Sequence, residues 1–202
     1  MYSSNLIRWS GLAAILGGAL LLVSDLLSLT VVSGDLAEAA TTGTYLVDNG
    51  LRLLAGVSLL LGLVGLYARQ SEASGALGLV GFLAAFAGTS LMLGASWTNT
   101  FVPPALAVEA PEFLAAGPAG TLGFGFTLSF ALAALGWFLF GTATLRARVY
   151  PRAAAAALMV GAALTFTPLP ASGVVFAAAV IWLGMALFAQ KEASAGQPER
   201  AK

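Results

Sequence analysis

Six apolar segments follow one another along this chain, and most are long enough to cross a lipid bilayer as a helix. They run from about Ser10 to Val32, Leu51 to Ala68, Gly75 to Trp97, Ala119 to Leu145, Ala153 to Pro168 and Gly173 to Gln190. Lipid offers backbone N–H and C=O groups no hydrogen bonds, so each segment must satisfy its own as a helix. The fifth is the shortest, and Pro168 and Pro170 end it. Only 9% of the 202 residues are charged and 59% are hydrophobic, with mean hydropathy +0.91. A soluble domain carries about 25% charged residues. The expected fold is all-α: a polytopic membrane protein with a six-helix transmembrane bundle over residues 1–190 and a disordered polar tail over 191–202. The even-numbered segments end alike, in LGLVGLYARQ, LGWFLFGTATLRAR and LGMALFAQKEA. Three helical hairpins would describe this, although membrane helices share such composition generally.

The basic residues set the expected orientation. If all six segments span, Arg8, Arg69, Arg146, Arg148, Arg152, Lys191, Arg200 and Lys202 fall on one side and only Arg52 on the other. The excess of Lys and Arg marks the cytoplasmic side, so both termini are expected there. Trp9, Tyr67 and Tyr150 fall at the inner boundary and Tyr45 and Trp97 near the outer one, as interfacial aromatics do. The first segment exceeds a signal-peptide core and reads as an uncleaved helix. Of the connections, Gln70–Ser74 and Arg146–Arg152 are short and inner. Ser33–Gly50 and Thr98–Pro118 are long and outer. The run Asp35-Leu-Ala-Glu-Ala-Ala predicts a short helix, and Pro103, Pro104, Pro111 and Pro118 are expected to break the second outer loop.

The chain has no cysteine and no histidine, and neither lysine lies in an apolar segment. Thiol chemistry, Cys/His metal sites, axial histidine ligation of haem, a histidine general base and a lysine Schiff base are therefore excluded. Net charge is zero, so nothing points to nucleic acid. No cofactor is expected.

Asp25 is the one charged residue deep in a segment. Gly11, Ala14, Gly18, Leu21, Asp25 and Ser28 recur at spacings of three and four, so Asp25 shares a helix face with small residues. Small residues let helices approach closely, which turns this face inward. An ionised Asp facing lipid would cost roughly 2.5–3.5 kcal/mol, so a partner is expected. Arg52 is the candidate. Asp48, Arg52, Ala55, Leu59 and Gly62 form a second such stripe, and Asp48 and Arg52 are four apart on one helix. A cluster of Asp25, Asp48 and Arg52 is expected in the outer third of the bundle, either as a clamp between helices or as a proton, ion or substrate site. Gly81, Ala84, Ala85 and Gly88 make a packing face in the third segment. Trp137 and Trp182 are expected to pack or face lipid. Thr98, Asn99 and Thr100 read as a helix end, and Thr165 and Thr167 as groups that satisfy freed carbonyls.

The opening NLIRWSGLAAILGG, the acidic outer loop and VDNGLRLLAGVSLL resemble small bacterial six-helix integral membrane proteins over about the first 70 residues. The hairpin pattern is similar to that of short six-helix acid-resistance membrane proteins. The resemblance implies the bacterial cytoplasmic membrane and supplies no functional residue.

Three functions remain open. The first is a non-enzymatic bundle that binds membrane lipids or serves as an accessory subunit beside other membrane subunits or copies of itself. The second is a small transporter or channel working through Asp25 and Arg52. The third is an enzyme using only the outer carboxylates Asp48, Glu109 and Glu112. The sequence ranks them in that order.

Overall fold

The computed structural model describes residues 4–29, 36–115, 120–165, 167 and 172–195. Among these the chain is helical nearly throughout, with no strand. The order is α1 (Ser4–Ser28), α2 (Leu36–Ala40), α3 (Gly43–Glu109), α4 (Pro111–Ala115), α5 (Gly120–Ala147), α6 (Arg152–Leu164) and α7 (Val174–Ala195). By length and composition, α1, α3 and α5 can each cross a membrane, whereas α6 and the apolar part of α7 are shorter.

The 67 residues of α3 form an unbroken helical run except at Gly75, where φ is 56° and ψ −153°. That conformation is essentially confined to glycine. The chain reverses there. Tyr67 stacks on Phe82 with ring centroids 4.4 Å apart, and Gly56 faces Leu93, so the two arms run back alongside each other. The loop expected over Gln70–Ser74 is therefore absent. Helix holds to Ser74, because polar residues are tolerated at an arm's end and one glycine suffices for the turn.

Other boundaries also move. The second segment starts at Gly43, with Thr42 as N-cap accepting from the Tyr45 N–H at 3.2 Å. Pro103 and Pro104 do not break the outer connection after Trp97, and the helix end expected at Thr98–Thr100 does not occur, since α3 continues through all of them to Glu109; Pro118 lies outside the described residues. Pro103 is buried, so packing outweighs the lost donors there. Pro111 opens α4, where its missing N–H costs nothing. The short helix expected near Asp35 appears as α2. Helix α7 extends through Ala195, into the tail expected to be disordered, and residues 196–202 lie outside the described residues. Helix α6 is short, as expected, and the Thr165 and Thr167 hydroxyls donate to the carbonyls of Ala162 and Leu164 at its end.

The helices form a closed ring. α1 packs on the first arm of α3, the second arm on α5, α5 on α6, α6 on α7, and α7 back on α1. A glycine sits at each of these interfaces. A Cβ on Gly62 would lie 2.8 Å from the Ala14 Cα, one on Gly81 2.7 Å from the Phe140 N, and one on Gly184 2.9 Å from the Gly11 carbonyl. On Gly141 it would meet Met159, and on Gly161 the backbone of Phe176. Contacts this close bring backbones together without needing a hydrophobic driving force. Leu63, Leu66, Phe140, Leu158, Val180 and Leu183 are fully buried and fill the centre.

The two ends of the ring differ in charge. At one end Arg8 lies over the Phe188 ring at 5.0 Å, and the Tyr150 hydroxyl donates to the Leu66 carbonyl at 3.2 Å. These contacts bring the start of α1, the end of α7, the α5–α6 turn and the Gly75 reversal to a common level. At the other end Ser24 bonds to Asp48 and Asp25 to Arg52.

Candidate functional site

Both stripes read from the sequence face inward. On α1, Gly11, Ala14, Gly18 and Asp25 are buried, with Leu21 and Ser28 half-buried. On α3, Ala55, Leu59 and Gly62 are buried beside half-buried Asp48 and Arg52. The expected cluster forms. The Asp25 Oδ1 accepts from the Arg52 guanidinium at 3.2 Å, and Asp48 Oδ2 accepts from Arg52 Nε at 3.5 Å. Ser24, one residue from Asp25, donates to Asp48 Oδ1, so the two helices are tied twice at this level. The Asp25 side chain keeps 11% of its exposure and Arg52 34%.

A third element meets the cluster that no stripe foretold. A Cβ on Gly173 would collide with Asp25 Oδ2. Gly173 accepts the first backbone bond of α7, from Ala177 N–H at 2.8 Å. The carboxylate therefore lies against the N-terminal end of α7, where the helix dipole favours negative charge. Asp25 thus joins α1, α3 and α7. One of its oxygens accepts from Arg52 and the other lies close against Gly173.

Below the cluster lies a cavity of about 200 Å³ reached by every long helix. Asp25, Arg52, Ser96, Phe130, Thr165 and Ser172 line its upper part. One or two turns deeper stand Leu59, Thr89, Trp137, Ala162 and Phe176. Trp137 is 4% exposed. It meets Phe140 and Phe176 edge-to-face, and its indole N–H donates to the Thr89 hydroxyl at 3.0 Å. The sequence left Trp137 either packing or facing lipid and gave no sign of its partner, which depends on the register between α3 and α5. One turn deeper again, Leu63, Ala85, Phe140, Leu158 and Val180 are fully buried and form the floor. The cavity is therefore charged above, aromatic and apolar below, and closed at its base.

A second pair of buried polar groups, Gln70 and Thr144, sits past that floor. Gln70 is fully buried and its amide donates to Thr144 at 2.9 Å, while Gln70 Oε1 and Ser74 Oγ have no hydrogen-bond partner among the described residues. Of the outer carboxylates, Glu109 and Glu112 stand exposed and take no part in the cluster. No group of three metal-ligating side chains occurs among the described residues.

Compared with known proteins, the chain matches no family model, no curated protein and no solved structure.

Proposed function

We propose that this is a non-enzymatic integral membrane protein of six spans that holds a small polar-headed apolar molecule, a lipid or lipid-like amphiphile, in its central cavity. The two arms of α3 each make one span, and α1, α5, α6 and α7 make the others. The membrane is the bacterial cytoplasmic one, with both termini on the cytoplasmic side, because Arg8 and the Arg69 and Arg146–Arg152 region gather at one end. The observation that carries the binding reading is the cavity's polarity. An ion pair and hydroxyls stand above, and Trp137, Phe176 and Leu59 stand below. Its size sets the occupant. A cavity of about 150 Å³ takes benzene, so this one takes a single ring with a polar substituent, or a short acyl stretch, and not a whole phospholipid.

Transport through Asp25 and Arg52 is the competing reading. Against it stand the self-paired cluster and the filled layer from Leu63 to Phe140, which leaves no polar continuation towards Gln70.

Native mass spectrometry of protein released from mild detergent tests the proposal. A stoichiometric small amphiphile should accompany the wild type and be absent from Ala134→Leu, which fills the cavity wall. A protein carrying no such species, whose buried-tryptophan emission does not respond to membrane extract, would sink the binding reading.

A further inference from the structure

Three described residues have positive φ: Gly75, Gly120 and Arg148. Glycine adopts this conformation freely, but an L side chain does so at a penalty. The chain holds 24 glycines and spends one on the reversal at Gly75, yet at φ 55° immediately after α5 it keeps an arginine. A helix commonly ends in this conformation, with glycine the favoured residue. Strained residues of this kind persist where their surroundings hold them, and they cluster at ligand-binding and other functional sites.

The surroundings indicate the task. Arg146, Arg148 and Arg152 are all exposed, and among the described residues no carboxylate pairs with them. Tyr150, between them, is 4% exposed and anchored through its hydroxyl to the Leu66 carbonyl. That anchor holds the turn against the first arm of α3, one helical turn from Arg69. Burial raises the Tyr150 pKa, and the nearby Arg69 charge opposes that rise. Three exposed arginines thus stand on or beside one fixed turn, and Arg69 acts on its Tyr150 from the adjoining arm, which also carries Glu72. Guanidinium forks match phosphate oxygens two at a time.

We propose that the α5–α6 turn binds the headgroup of an anionic phospholipid, with Arg146, Arg148 and Arg152 as its phosphate ligands. The inference rests on the six-span reading, which puts this turn at the inner leaflet surface, where anionic headgroups attract basic residues. Arg148 then holds its conformation because the phosphate contact offsets the backbone penalty.

Thermal unfolding in nanodiscs of phosphatidylcholine, alone or mixed with phosphatidylglycerol, is the test, together with native mass spectrometry of retained lipid. The wild type should melt several degrees higher with phosphatidylglycerol and keep that lipid through detergent exchange. Arg148→Gly should melt higher than wild type in lipid-free detergent yet lose most of the phosphatidylglycerol gain. Those opposite signs separate a ligand from a residue that merely favours the α5 C-terminus, whose removal would lower stability in both settings. Arg146→Gln/Arg152→Gln, which leaves the backbone alone, should lose the gain without the detergent benefit. Equal melting of wild type and both variants across the two lipid mixtures would overturn the proposal. So would a gain reproduced by inorganic phosphate in detergent, which would mark a soluble-phosphate site instead. Failure to enter nanodiscs at all would instead defeat the six-span reading.

Discussion

Asp25 and Arg52 meet at 3.2 Å across two helices, and the other oxygen of the same carboxylate presses on Gly173 at the head of a third. A half-buried ion pair of this kind adds little by itself but is expensive to halve, since the surviving charge is left without its partner. Asp25→Asn and Arg52→Gln should each lower the melting temperature. The double variant should cost less than the two single losses combined, with a coupling of roughly 0.5–3 kcal/mol. Strict additivity in a double-mutant cycle would mean that the two residues do not sense each other.

Gly173→Ala should destabilise, because its Cβ would fall on the Asp25 carboxylate. The loss should shrink in an Asp25→Ala background, where that oxygen is gone. An unchanged loss would assign the effect to the α7 N-cap alone, where alanine is a poor residue.

Gln70→Leu should leave stability unchanged or raise it by about 1 kcal/mol, since the Gln70 Oε1 is buried without a partner among the described residues. Thr144 keeps its bond to the Phe140 carbonyl in that variant. A loss of similar size, read by thermal melting, would show that Gln70 Oε1 has a partner such as an ordered water.

Tyr150 should confer a pH dependence. Burial raises its pKa above the ordinary value of about 10, so the folded protein holds the phenolic proton more tightly than the unfolded chain. Its contribution is complete below pH 10 and falls away as pH rises beyond it. Melting curves above pH 10 should show this decline in wild type and a shallower one in Tyr150→Phe. That variant should also lose about 1 kcal/mol at neutral pH with the bond to Leu66.

Reporter fusions test six spans directly. Ala40 and Ala110 should read outside, and Ala73 and Ala195 inside. An inside reading at Ala110 would mean that the α3 arms do not both cross.

The inward stripes on α1 and α3 were legible because small residues at alternating spacings of three and four define one helix face whatever the rest of the chain does. The Asp25–Arg52 pair was legible for an energetic reason: a charge facing lipid is so unfavourable that few candidate partners remain. The turn at Gly75 was hidden because Gln70–Ser74 is polar, and polarity marks the end of an apolar run rather than the end of a helix. Pro103 and Pro104 misled for the opposite reason, a local rule being outweighed by burial of Pro103. Gly173 against Asp25, Thr89 beneath Trp137 and the cavity itself depend on how distant helices are aligned, and no periodicity within one segment carries that.

The ring has a consequence for biosynthesis. Asp25 leaves the ribosome early and finds Arg52 after 27 more residues. The end of α7 that completes its surroundings emerges some 150 residues later, roughly 8–30 s at ordinary elongation rates. Until then, the flank of α1 that α7 covers lies open, and in the six-span reading it meets lipid. A chain stalled before its final helix would leave that seam uncovered, with Gly11, Gly18 and one oxygen of Asp25 facing no helix, so closure of the ring is the last event in making the molecule.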